Sequence, residues 1–292
     1  MKRFLPTLLI LGSLTLPTHA TAAPAAQARD GYFRTSDGVR LHYLEAGQGD
    51  PIIFIPGWTV PAWTWDGQIK HFAATNHVIA LDPRSQGKSA IAAEGHYPDR
   101  RAKDIKELID AKHLGRVILV GHSLAVTEEL AYVEQFGTAS LAGLVFIDQD
   151  FGPYDANPMI AGLIRGVVTN RRATLEQLGG WFFKHPQPPA YTKRLFDDCM
   201  KTPTGTAVTL LASRFGLDYH VTFNKIDVPV LYTSTPQFNE AGEWLKKTVP
   251  GARVEVFTDA GHVLFVDEAD HFNSVLDAFA HDAFHAPAAQ KN

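Results

Sequence analysis

The chain has a single cysteine, Cys199, and so no internal disulfide and no thiolate-built zinc or iron–sulfur site. It has no basic excess. Its 27 Lys and Arg stand against 31 Asp and Glu, a net charge of −4, which lacks the electropositive face of a nucleic-acid binder. Beyond the first two dozen residues it has no apolar run of the roughly 20 residues that span a bilayer. It has no internal repeat, and no low-complexity tract apart from its alanine-rich ends. Large apolar residues are not in short supply: 45% of its 292 residues are hydrophobic, which excludes intrinsic disorder and provides core for one large domain or two small ones.

The first residues read differently from the rest. Met1-Lys2-Arg3 is followed by a nearly unbroken apolar stretch from Phe4 to Leu16, then by small residues through Ala23. A basic start, a short apolar stretch and an A-x-A pattern are the parts of a secretory signal peptide. Residues 1–22 are therefore expected to be a leader, cleaved after Ala20 or Ala22. The run is too short for an anchor, and Pro6 and Pro17 interrupt it. The expected setting is the periplasm or exterior of a bacterium, with no stable membrane anchor.

The remainder alternates between two patterns. An antiparallel hairpin is expected from Tyr32 to Ala46, around Asp37-Gly38. Short apolar runs follow at Pro51–Ile55, His77–Leu81, Arg116–Val120, Leu144–Ile147, Val228–Tyr232 and Arg253–Phe257, as in parallel strands buried on both faces. Helical patterns separate them at Trp65–Ala74, Pro98–Lys112, Ala125–Phe136, Asn239–Lys247 and Asp267–Ala280. This rhythm predicts an α/β fold with a doubly wound, mostly parallel sheet. It breaks after Phe151. From residue 151 to 225 no strand pattern occurs, so a helical cap is expected there, between core segments 23–150 and 226–292.

The strand pattern at Arg116–Val120 runs into Gly121-His122-Ser123-Leu124-Ala125 and a helix begins at once. In that context a G-x-S-x-G motif marks a sharp strand-to-helix turn that presents a nucleophilic serine, here Ser123. Ala125 stands at the last glycine position and is the next smallest residue. The bland alternative is a serine that only caps a helix.

Three further segments join this one in a resemblance to the α/β-hydrolase superfamily, with its serine esterase and cofactor-free haloperoxidase branches. Pro56-Gly57-Trp58 resembles the His-Gly-x oxyanion loop, with Pro56 in place of histidine. Asp82-Pro83-Arg84-Ser85-Gln86-Gly87-Lys88-Ser89 is similar to the D-x-R-x-x-G-x-S segment, and Asp259-Ala260-Gly261-His262 to the loop that delivers the catalytic histidine. The resemblance implies the α/β-hydrolase fold and a nucleophile–base–acid triad.

Serine needs a base. Of 13 histidines, His262 is selected by its place after the strand Arg253–Phe257 and before the last helix. His281 and His285 share a metal-pair spacing but have no acid between them and fall in a C-terminal segment expected to fray. The acid is less determined. The strand after the expected cap continues Thr233-Ser234-Thr235-Pro236-Gln237-Phe238-Asn239 with no carboxylate, whereas Leu144–Ile147 ends in Asp148-Gln149-Asp150. Asp148 is favoured, with Asp150, Glu240 and Glu243 as alternatives. The resemblance assigns the oxyanion hole to the backbone N–H groups of Trp58 and Leu124. Trp58, Phe151 and Trp181 are expected to wall the pocket, and Phe182 and Phe183 lie on the cap side. Trp63 and Trp65 either join that wall or pack the first helix.

The expected activity is hydrolysis of a small apolar ester or lactone through an acyl-enzyme, with no cofactor and no metal. Perhydrolase, carbon–carbon hydrolase and aminopeptidase chemistry are alternatives on the same triad, the last supported only by the acidic pair Asp197-Asp198. From another class, a non-catalytic ligand-binding protein of this fold also remains. The expected partner is a small molecule, not nucleic acid, and nothing in the chain specifies an oligomeric state.

Overall fold

A computed structural model of the chain describes residues 27–155 and 158–286. The leader expected over residues 1–22 lies outside the described residues.

Strands β1 (Arg29–Arg34) and β2 (Arg40–Ala46) form the expected hairpin, closed by the Thr35 N–H on the Val39 carbonyl and the Gly38 N–H on that of Thr35. The chain continues through β3 (Asp50–Ile55), a 3-10 turn at Ala62–Trp65, α1 (Asp66–Phe72), β4 (Asn76–Asp82), α2 (Pro98–Ala111), β5 (Val117–His122), α3 (Leu124–Phe136) and β6 (Leu141–Ile147). Helices α4 (Pro158–Phe182), α5 (Pro189–Cys199) and α6 (Thr204–Ala212) and a 3-10 turn at His220–Lys225 then intervene. The core resumes with β7 (Val230–Ser234), α7 (Asn239–Thr248), β8 (Arg253–Val256), the short α8 (Leu264–Asp267) and α9 (Ala269–His285).

The eight strands make one sheet in the order β1-β2-β4-β3-β5-β6-β7-β8. β2 runs antiparallel to both its neighbours, and β3 to β8 are mutually parallel. Side chains alternate across it, as strand geometry requires. Phe54, Ala80, Val120, Val145 and Leu231 face α1 and α9, which contribute Ile69, Phe72, Phe272 and Leu276. Ile53, Ile79, Leu119, Leu144 and Tyr232 face α2, α3 and α7, which contribute Ile105, Leu108, Leu130 and Leu245. Burial on both faces is why the strands read as solid apolar runs. Parallel strands place their C-terminal ends on one edge, and there the βα loops gather.

Several boundaries differ from expectation. The first helix opens with the 3-10 turn before α1, and the last is broken at Glu268 into α8 and α9. α9 runs on to His285, so His281 and His285 are helical rather than frayed: their rings stack 4.7 Å apart and His285 Nδ1 bonds the His281 carbonyl. α4 carries a non-helical residue, Asn170, at φ −154° and ψ 82°. Among the described residues no helix is long and apolar enough to cross a membrane.

Candidate active site

Strand β5 ends at His122 and α3 begins at Leu124, leaving one residue for the reversal. Ser123 makes it at φ 55° and ψ −119°, a conformation that costs a non-glycine residue about 1–3 kcal/mol. Its N–H is tied to the Ile147 carbonyl at 2.9 Å, and its carbonyl accepts from Val126 at 2.9 Å. The elbow is thus held by the neighbouring strand β6 and by the first turn of α3, with the side chain turned to the edge of the sheet.

Asp148 follows β6 directly, also at positive φ (50°), and its N–H bonds the Thr233 carbonyl of β7 at 2.8 Å. One carboxylate oxygen, Oδ2, is 2.7 Å from His262 Nδ1. The other, Oδ1, accepts from the Thr235 N–H at 2.6 Å and from its hydroxyl at 2.8 Å. Both Asp148 and His262 are buried, at 1% and 3% exposure. An ionised carboxylate only accepts, so Nδ1 carries the proton in this pair, and in the neutral imidazole Nε2 is then the acceptor.

The loop that carries His262 docks on the end of α4. The His262 N–H bonds the Trp181 carbonyl at 3.1 Å and that of Val263 bonds Phe182 at 2.9 Å. The Trp181 ring stacks on the imidazole at 3.9 Å and 21°. Gly261 is required at this joint, since a Cβ there would lie 2.6 Å from the Phe182 carbonyl oxygen. From below, His122 Nε2 donates to the His262 carbonyl at 2.9 Å. Burial, and then the adjacent His262 ring, hold His122 well below the usual imidazole range, so it is neutral and this bond fixes its proton on Nε2.

Gly57 lets the loop after β3 press on the elbow: a Cβ there would stand 3.1 Å from both the Ser123 Cβ and the His122 carbonyl. The loop is pinned by Gln86, whose Nε2 donates to the Gly57 and Val60 carbonyls at 3.0 and 2.9 Å. The Trp58 indole N–H is spent on the Ala207 carbonyl at 2.7 Å. The backbone N–H groups of Trp58 and Leu124 have no hydrogen-bond partner among the described residues.

These parts meet in a cavity of roughly 470 Å³, within the range of small-molecule sites. Ser123, His262, Gly57 and Trp58 line its floor, and Leu163, Leu178, Trp181, Phe182 and Leu211 its insertion side. Trp58 and Trp181 both line this cavity. Phe151 does not: it is 1% exposed, packed among Phe146, Phe223, Tyr232 and Trp244 in the core beneath. The turn made by Asp148 at positive φ sends the chain back over that face of the sheet. Trp65 stacks on Phe265 at 3.7 Å and Trp63 donates to Asp198, so both serve packing. Phe183 packs on Tyr191 and does not line the cavity.

The alternative acids are elsewhere. Asp150 is exposed and takes a bond from Gln149, Glu240 lies at the rim of the cavity, and Glu243 pairs with Lys246. Asp197 pairs with Arg172 and Lys193, and Asp198 with Lys201, outside the cavity. Three residues that sequence reasoning passes over are Thr235, His122 and Gln86. For Thr235 a signal existed, since the end of β7 offered a hydroxyl where a carboxylate was sought. His122 and Gln86 fall on variable positions of their motifs, and nothing local marks them.

A model of the alpha/beta hydrolase family matches residues 52–273. A non-heme haloperoxidase of Rhodococcus erythropolis is 28% identical over 270 residues, covering 85% of this chain and 98% of that protein. Among solved structures, a bromoperoxidase from Bacillus anthracis matches with a TM-score of 0.81 at 22% identity, over 87% of this chain and all of the other. An esterase from Exiguobacterium antarcticum matches with a TM-score of 0.79 at 23% identity, over 86% and 98%. At those identities the two structures speak to the fold.

Proposed function

The chain belongs to the alpha/beta hydrolase family, and on that premise we propose that it is a serine hydrolase that cleaves a carboxylic ester or lactone. The observation that carries the reading is the 2.7 Å bond from His262 Nδ1 to Asp148 in a cavity that Ser123 also lines. Ser123 Oγ attacks the carbonyl carbon as His262 Nε2 takes its proton. Asp148 holds the imidazole in the right tautomer and stabilises the imidazolium. The charge that develops on the carbonyl oxygen is met by the free N–H groups of Trp58 and Leu124, preorganised because their loop and helix are already fixed. His262 returns the proton to the leaving alcohol, and water repeats the sequence on the acyl-enzyme. The apolar insertion side of the cavity suits the acyl or alcohol group.

Hydrolysis of p-nitrophenyl esters of increasing acyl length by the protein and by Ser123→Ala tests this. Turnover is expected in the first and lost in the second, with the length preference sizing the cavity. Undiminished turnover by Ser123→Ala would overturn the reading.

The similarity to a haloperoxidase favours one second reading, perhydrolysis, in which hydrogen peroxide replaces water on the same acyl-enzyme and releases a peracid. Peracid formation from an ester and hydrogen peroxide, abolished by Ser123→Ala, distinguishes it. For location, we propose export by the N-terminal leader. The intact mass of the periplasmic protein is expected to match cleavage after Ala20 or Ala22, and an uncleaved cytoplasmic product would refute export.

A further inference from the structure

Four arginines are buried among the described residues, and three of them have partners. Arg84 is gripped by Asp104 and Asp37, Arg101 faces Glu128 at 3.1 Å, and Arg171 donates to the Thr202 and Cys199 carbonyls. Arg214 has no such partner. It is 8% exposed, its Nε and Nη1 are sealed without an acceptor, and no carboxylate is paired with it. What it does have is the Tyr154 ring, 4.8 Å from the guanidinium carbon, and the Tyr154 hydroxyl is spent on the Asp150 carbonyl at 2.5 Å.

This lone cation lines the same cavity as Ser123 and His262. Its position is fixed: the loop after α6 is laced to the segment after β6 by Tyr154 N–H to Leu217, Gly216 N–H to Tyr154 and Tyr219 N–H to Phe151, at 2.9 to 3.0 Å. A guanidinium stays charged in a protein, and a buried charge without a counter-charge is costly. Asp150 attracts the guanidinium from the rim of the cavity, but it, Asp155 and Glu240 are all exposed, where water screens them. An anion brought inside by a ligand meets the guanidinium directly and without that screening.

Building on the Ser123–His262–Asp148 reading, we infer that Arg214 is a specificity residue that receives a carboxylate on the substrate. The ester or lactone that this site prefers is then one carrying a free acid, such as the half-ester of a short dicarboxylic acid. The planar fork of the guanidinium matches a carboxylate two bonds at a time, which fixes the distance from acid to scissile carbonyl.

The test compares monomethyl glutarate with methyl pentanoate, two esters of equal acyl length, by proton release in the protein, Arg214→Lys and Arg214→Gln. The ratio of kcat/KM for the acid over the neutral ester is expected to exceed one. It should fall about tenfold or more in Arg214→Gln and less in Arg214→Lys, as expected for a charge-assisted bond. Calorimetry with glutarate on Ser123→Ala reads the same contact without catalysis, and binding is expected to vanish when Arg214→Gln is added. A ratio that Arg214→Gln leaves unchanged, or glutarate binding insensitive to that change, would overturn the assignment. Failure of the hydrolase reading looks different: neither ester would turn over, while glutarate would still bind through Arg214.

Discussion

At the scale of the residue, the most constrained group in the site is the Asp148 carboxylate. It accepts the His262 Nδ1–H bond on one oxygen and two donors from Thr235 on the other, so it has little freedom to rotate. Asparagine there would keep the shape but present an amide. An amide N–H facing Nδ1 would favour the tautomer with its proton on Nε2, which is useless as a base. Asp148→Asn is therefore expected to lower kcat by about a thousandfold to ten-thousandfold, the loss seen when a triad acid becomes an amide. KM for an ester should move little, because Asp148 does not line the cavity. Steady-state kinetics on a p-nitrophenyl ester check it, and a loss confined to KM would contradict the role. The arrangement also shows what a sequence can and cannot declare. The Asp148-Gln149-Asp150 strand end was visible, but the choice between its two acids rests on contacts with His262 and Thr235, 114 and 87 positions away in the chain. No local pattern reports a contact of that range.

At the scale of the element, the strand–elbow–helix unit of β5 and α3 is built over two buried acids. Glu128 and Glu129 are fully buried on α3, Glu128 beside Arg101 and Glu129 with neither carboxylate oxygen bonded to a side chain among the described residues. Burial raises Glu129 well above the usual carboxylate range, and the neighbouring Glu128 adds to it; burial pushes Glu128 up to about 7 against the pull of Arg101. A folded pKa above the unfolded value means that the native state binds the extra proton. The stabilisation is then fully present below the unfolded value of about 4.3 and is lost as pH rises towards the folded one. Glu129→Gln removes the ionisable group while keeping its size. Thermal melts of the protein and of Glu129→Gln at pH 5, 6, 7 and 8 should diverge, the unmodified protein losing Tm relative to the variant at each step up. A gap that stays constant across that range would mean that the native state holds no extra proton on Glu129. The elements themselves were legible, because strands buried on both faces leave solid apolar runs and the helices keep a 3.6 period. Side-chain direction beyond a strand end was not: Phe151 was expected in the pocket, and the turn at Asp148 carries it into the core.

At the scale of the whole molecule, the protein is a sheet with two buried faces and a helical insertion whose buried side chains join the same apolar cluster as one of those faces. Strands β5 and β6 are buried along their whole length, whereas α4 leaves Met159, Val168 and Trp181 exposed at 64%, 65% and 38%. The insertion meets the core at the Trp181–His262 joint, through the Trp58 and Trp63 indoles on Ala207 and Asp198, and at the Lys184 N–H on Asp267, and a smaller share of the residues of α4 to α6 is buried than of β5 and β6. Fewer buried contacts mean a lower local opening free energy. Amide hydrogen exchange should therefore be faster in α4 to α6 than in β5 and β6. A covalent phosphonate on Ser123 would occupy the cavity, touch Leu163 and Leu178 on α4, and bridge the insertion to the sheet edge. It should slow exchange in α4 and α6 while leaving the already protected strands nearly unchanged. Exchange that slows equally everywhere would instead mean that the molecule opens as one unit, with the His262 loop, insertion and sheet sharing a single stability.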